Sequence, residues 1–161
     1  MTTQTRTSEL EAVNTILSTI GEAPLNTLSG SLPVDGTIAK NVLSEVSREV
    51  QSQGWHFNTH YKVTLSLYNL AKNEDTFDTN FKDATVVYLL PFDEIPEQAK
   101  RYITIRSARI FHDRTLGANT IHKFSQEDEA KALSILKQAE SHTGDYSIFD
   151  SPEQAYTILR G

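Results

Sequence analysis

Two amphipathic stretches, each running into a glycine, constrain this chain more than anything else in it. The first reads Ala12-Val13-Asn14-Thr15-Ile16-Leu17 and passes into Ile20-Gly21-Glu22-Ala23-Pro24-Leu25; the second closes on Gln51-Ser52-Gln53-Gly54-Trp55-His56-Phe57-Asn58. Glycine lacks a Cβ and so takes up the left-handed conformation that turns a chain off a helix. Ser8-Glu9-Leu10-Glu11 has the spacing of a capping box, so a first helix is expected over residues 8–20, with Leu10, Val13, Leu17 and Ile20 as its apolar stripe. Asp35 is the expected cap of a second helix over 35–54, whose apolar face is Ile38, Val42, Val46 and Val50 and whose outer face carries Lys40, Glu45, Arg48 and Glu49. Gly21, Pro24 and Gly54 are then structural anchors at the helix ends. Trp55 and Phe57 are read as core anchors at the junction of helical bundle and strand.

Past Trp55 the period changes. Tyr61, Val63, Leu65 and Leu67 alternate with Lys62, Thr64, Ser66 and Tyr68, the pattern of a half-buried strand, and residues 84–90 form a second strand candidate. Residues 69–83 between them, rich in Asn, Asp, Thr and Lys, read as a long hairpin loop, giving an antiparallel β extension over about 60–90. Pro96 opens a third helix to about residue 116, stopped by Gly117, with Ala99, Tyr102, Ile103, Ile110 and Phe111 buried. Ser125 and Asp128 have capping-box spacing for a fourth helix over 126–143, with Leu133, Leu136 and Ala139 facing inward and Gly144 as its stop. The fold class expected is α+β, mainly α: a four-helix bundle with a small antiparallel β extension and an extended or short-helical C-terminal tail, in one domain over 1–161.

Composition narrows the chemistry. The chain has no cysteine, which removes disulfides, thiolate metal sites and a cysteine nucleophile together. A net charge of -6 opposes non-specific nucleic-acid binding by the molecule as a whole, though a local basic surface stays open. No apolar run approaches the roughly 20 residues of a membrane helix, and the polar start, Met1 to Thr7, lacks the apolar core of a secretion signal, so synthesis in the cytoplasm and no membrane partner are expected.

Candidate chemistry is sparse, and neither a cofactor nor a catalytic or metal site is expected. His56 and His60 are four apart, which on a helix would aim two imidazoles at one metal; on a strand it separates them by about 13 Å, and surface or interface histidines are the plainer reading. Asp93, Glu94 and Glu97 resemble the carboxylate pair of a glycan or peptidoglycan hydrolase, but acids at a helix start are equally explained by capping and the helix dipole. Lys100, Arg101, Arg106, Arg109 and Arg114 concentrate cations on the third helix, where Arg106 and Arg109 share a face with Tyr102 and Asp113. They read either as partners of carboxylates within or between subunits, or as a phosphate-facing stripe along a DNA channel. Tyr146, Ile148, Phe149, Tyr156, Ile158 and Leu159 make residues 145–161 unusually apolar for a terminus, suited to docking on another chain or on the bundle itself.

The two opening phrases resemble the tail tubular protein A family, the head-to-tail adaptors of short-tailed phages. The resemblance continues in order through Val63-Thr64-Leu65, Phe92-Asp93-Glu94-Ile95-Pro96-Glu97, Tyr102-Ile103, Ser107-Ala108-Arg109, Phe111 and Leu116-Gly117-Ala118. It resumes at Gln126-Glu127-Asp128-Glu129-Ala130, Gly144-Asp145-Tyr146-Ser147 and Asp150. It implies a non-enzymatic virion protein forming a homo-dodecameric ring below the portal vertex, joining the portal protein to a tail nozzle of the tail tubular protein B kind around passing DNA. It further implies that residues 145–161 embrace the portal and that residues 61–90 face the nozzle. The stretch between Asn58 and Phe92 is shorter than the family's usual, and the C-terminus ends earlier.

Overall fold

The computed structural model describes residues 6–63, 84–117 and 124–143. Four helices are present among them: α1 (Glu9–Leu17), α2 (Val34–Gln51), α3 (Glu97–Leu116) and α4 (Gln126–Thr143). A two-stranded antiparallel sheet, β1 (Thr59–Val63) and β2 (Ala84–Val87), is inserted between α2 and α3. The fold is therefore α+β and mainly α, as expected.

The capping box at the start of α1 is formed: the Ser8 N–H donates to Glu11 Oε2 (2.8 Å) and the Glu11 N–H to Ser8 Oγ (3.2 Å). The helix ends at Leu17 rather than at residue 20. Its last carbonyls are taken by hydroxyls, Ser18 Oγ on Thr15 O (2.6 Å) and Thr19 Oγ1 on Ile16 O (2.7 Å), and the turn tightens before Gly21 at φ +80. Ala12, Val13, Ile16 and Leu17 are its buried residues.

Two expectations for α2 are corrected. Asp35 does not cap it; Pro33 precedes the first turn and its carbonyl accepts from the Thr37 N–H (3.0 Å), which leaves Asp35 inside that turn, where a negative charge suits the dipole. Ile38 is 40 % exposed and not part of the core face, which runs through Ala39, Val42, Leu43, Val46 and Val50. Helical phase explains this: α3 covers the side on which Leu43 lies, and Ile38 falls at its margin with Val34.

α3 packs against each of the other three helices, so it is buried nearly all round, Lys100, Thr104, Ser107 and His112 included. Of its expected core, Ala99, Tyr102, Ile103 and Phe111 are buried and Ile110 is half-buried; it stops at Gly117 (φ +88), as read. α4 has its capping box at Ser125 and Asp128 and buries Ala132 and Leu136, with Leu133 and Ala139 half-buried.

Cross-links set the helix directions. Glu9 and Thr7 meet Asp93 and Glu97, so α1 and α3 begin at one end; Glu45 meets Arg114 and Glu49 meets Arg106, so α2 runs against α3, and His56, just past α2, meets Glu140, so α2 and α4 finish there. The bundle is up-down-up-down, and the sheet stands at the end where α2 finishes.

Candidate functional site

No catalytic constellation forms among the described residues. Asp93 Oδ1 accepts from the Glu9 N–H (3.0 Å) at the start of α1, and Glu97 accepts from both the N–H and the hydroxyl of Thr7. Two of the three candidate acids thus tie down residues 7–9. His56 sits in a 3-10 turn (His56–Asn58) with its N–H on Glu140 Oε1 (2.6 Å), and His60 on β1 packs edge-on against Tyr88 with ring centroids 5.0 Å apart. No cluster of three or more potential metal ligands occurs among the described residues, and no helix among them is long and apolar enough to cross a membrane.

Four of the five cations of α3, Lys100, Arg106, Arg109 and Arg114, have oxygen partners inside the subunit. Lys100 is 1 % exposed and donates to the carbonyls of Thr7 (2.8 Å) and Asp93 (3.0 Å) above the Phe92 ring, which is how a buried ammonium is tolerated. Arg106 bridges Glu49 on α2 (2.7 Å) and Glu129 on α4 (3.1 Å); Arg109 also binds Glu129. Burial works to lower the Arg106 pKa, but Tyr102, Glu49 and Glu129 together hold it above the ordinary arginine value. The groove beside them, of about 300 Å³, is lined by Arg106 and Arg109 but equally by Asp113 and Glu129, so its charges balance. Arg114 pairs with Glu45 through both terminal nitrogens (2.9 and 3.1 Å), which holds the Glu45 carboxyl below the usual glutamate range.

The expected anchors divide by burial. Gly54 has φ +74, and Trp55 is buried with its indole N–H on the Val50 carbonyl (2.7 Å), closing α2 against the core; Phe57 is half-buried beside it. Pro24 is exposed, and the residue that holds its loop is Asn14, whose side chain donates to Leu25 O (3.0 Å) and accepts from Leu25 N–H (2.7 Å).

The sheet carries the exposed apolar surface. Its register pairs Thr59 with Val87 and His60 with Val86, but Val63 with Ala84, so β1 holds one extra residue, and Lys62 there has φ +56. This bulge breaks the expected alternation. Tyr61 is 62 % exposed rather than core-facing and Val63 is half-buried, while Leu65, Leu67 and the loop 69–83 lie outside the described residues. Val87, Tyr88 and Leu89 add 40, 43 and 59 % exposure. By pleat parity Tyr61, Val87 and Leu89 share one face, with His60, Val86 and Tyr88 on the other. At its root the first face lies against Gly54, where Thr59 is buried, so the exposed apolar surface is at Tyr61 and Leu89. A second exposed pair, Val34 (75 %) and Ile38, lies at the start of α2, about 25 Å from its finish by helical rise.

Two buried amides that the periodicity did not single out lie at the root of the sheet. Gln51 Nε2 donates to Ser47 Oγ (3.0 Å) and Leu90 O (3.1 Å), and Gln51 Oε1 accepts from the Leu90 N–H (2.7 Å). Asn58 Nδ2 donates to the carbonyls of Gln51 and Tyr88 (2.9 Å each), and Asn58 Oδ1 accepts from the Trp55 N–H (2.9 Å). The signal that would have found Gln51 is its place on the apolar stripe, eight residues beyond Leu43.

The model of the tail tubular protein family matches residues 10–66 and 65–146, in order and over most of the chain. The chain belongs to the tail tubular protein family. It is a structural protein of the phage virion tail. The two matched segments of this tail tubular protein overlap at residues 65–66, within the stretch between Asn58 and Phe92. No curated protein matches it. The portal-docking candidates Tyr146, Ile148, Phe149, Tyr156, Ile158 and Leu159, like Gly144, lie outside the described residues.

Proposed function

We propose that this tail tubular protein is the head-to-tail adaptor, a ring subunit standing between portal and tail nozzle around the DNA channel. The observation that carries the reading is the pair of apolar surfaces at opposite ends of α2: Val34 and Ile38 at one end, and Tyr61, Val87 and Leu89 at the other. A lone subunit leaves both in water, and a part joining two different neighbours along an axis needs two unlike surfaces. The sheet is the nozzle-facing end and the helical bundle the portal-facing one. Residues 145–161 are the portal-embracing tail.

In this reading the ring is homo-dodecameric, as the family resemblance implies, and Arg106 and Arg109 fasten α4 to α2 and α3 rather than line the channel, because Glu49 and Glu129 already balance them. Hydrolysis by Asp93, Glu94 and Glu97 has no support from the hydrogen bonds by which Asp93 and Glu97 hold residues 7–9. The decisive experiment is an image of the particle at the portal vertex, in wild type and in a Tyr61→Ser, Leu89→Ser variant. The wild type carries a ring of this chain under the portal, and the variant keeps that ring but loses the nozzle. A vertex without this chain, or a variant with a complete tail, overturns the reading.

A further inference from the structure

The exposed sheet has a mechanical problem. Two strands alone are marginally stable in water, and this pair leaves the bundle on one limb, at Asn58, and returns on another, at Tyr88 to Leu90. Nothing in the strand pairing itself sets the angle at which such a ribbon stands on the helices. The two buried amides at its root do so, for each spans elements that the backbone ladder does not join.

We propose that Gln51 and Asn58 are positioning residues that fix the ribbon's orientation on the bundle, so that its outward aromatics meet the next tail component at a set angle; the last step rests on the reading of the ribbon as the nozzle-facing end. Gln51, the final residue of α2, grips the peptide of Leu90 through both its N–H and its carbonyl, as a neighbouring strand would. Asn58 joins the Gln51 carbonyl, the Trp55 N–H and the Tyr88 carbonyl, while its own carbonyl accepts from the Tyr88 N–H (2.8 Å). Outgoing limb, returning limb and helix end are thereby locked at two side chains that are each 1 % exposed. Only an amide supplies donor and acceptor together in this geometry; a carboxylate lacks the donors and an apolar chain lacks both. A residue on the core stripe of α2 could be Leu or Met and still fill the core. What the amide adds is direction.

The test compares amide hydrogen exchange in the isolated full chain with tail attachment in assembled particles. Four variants serve: Gln51→Met and Asn58→Leu, which keep volume and remove every side-chain bond, and Gln51→Glu and Asn58→Asp, which keep the acceptor and remove the donors. Exchange at Tyr88 and Leu90 is expected to rise roughly 10- to 100-fold while Ile103 and Phe111 in α3 stay protected. Particles carrying these variants are expected to keep the chain under the portal and to lose the nozzle at a matching rate. Unchanged exchange at Tyr88 and Leu90 overturns the mounting. So does equal loss of protection across α3 in all four variants, since the amides would then be ordinary core residues. Faster exchange with normal tails supports the mounting and overturns the reading of the ribbon as the distal contact.

Discussion

Gly54 is where one atom more would be felt. Its φ of +74 is costly for any residue with a Cβ, and a Cβ built there lies 3.4 Å from both Thr59 Oγ1 and Val87 Cγ2, at the root of the ribbon. Gly54→Ala is expected to lose about 1 to 2 kcal/mol in urea unfolding, mostly from backbone strain. Asp128 is a second single-residue device. The Ser125 backbone N–H, then its hydroxyl, hold the Asp128 carboxyl below the usual aspartate range. A carboxyl whose folded pKa is depressed stabilises the fold above its unfolded value, and that stability is lost as pH falls through the folded one. The helicity of α4 should therefore fall on acidification below the ordinary aspartate range. In Asp128→Asn the fall should be smaller, which circular dichroism against pH checks. Both residues were legible beforehand, because helix stops and caps are local rules written within four residues.

At the scale of elements, the contrast between two ion pairs on α3 decides how much a salt bridge matters here. Glu129 is 15 % exposed in its side chain and serves two arginines that are 30 and 23 % exposed, whereas Glu45 and Arg114 are each about half exposed (55 and 51 %). Glu129→Gln leaves partly buried guanidinium charge unbalanced and is expected to cost about 2 to 3 kcal/mol, while Glu45→Gln, at a solvent-screened pair, should cost much less. Thermal melts of the two variants, side by side, measure the difference; equal losses would mean that α4 is held by Ala132 and Leu136 alone. The sequence marked Arg106 and Arg109 as cations on one face but not their partners, which come from residues 57 and 20 positions away. The bulge at Lys62 was hidden for a related reason. One extra residue in a strand leaves no mark in the alternation until the partner strand's register is known.

The whole molecule is a bundle with two unlike ends, and its assembly role is tested by removing parts. Deleting residues 145–161 should leave the bundle folded, with unchanged far-ultraviolet circular dichroism per helical residue, since the core cluster among the described residues runs from Ala12 to Leu136 without them. The same deletion should abolish joining of head to tail in particles; full attachment would assign the portal contact elsewhere. A glycan-release assay on purified protein should find no activity, and none lost in an Asp93→Asn, Glu94→Gln variant. That variant should instead melt earlier, by a few degrees, because Asp93 caps α1 from outside.

The four described helices, the capping boxes at Ser8 and Ser125, the stops at Gly54 and Gly117, most core positions at three- and four-residue steps and the presence of a strand pair were set by local chemistry, which a sequence displays directly. The order of family phrases added the virion role. What only the tertiary structure decided is where long-range partners meet: that α3 is the buried centre, that Lys100 is satisfied by carbonyls of Thr7 and Asp93, and that Arg106 and Arg109 are balanced by Glu49 and Glu129. The same holds for Gln51 and Asn58, which stand in the second of the opening phrases as unremarked polar letters. An amide becomes a mounting only when the backbone it grips arrives from 39 residues away, as Leu90 does for Gln51, and no local period encodes that arrival.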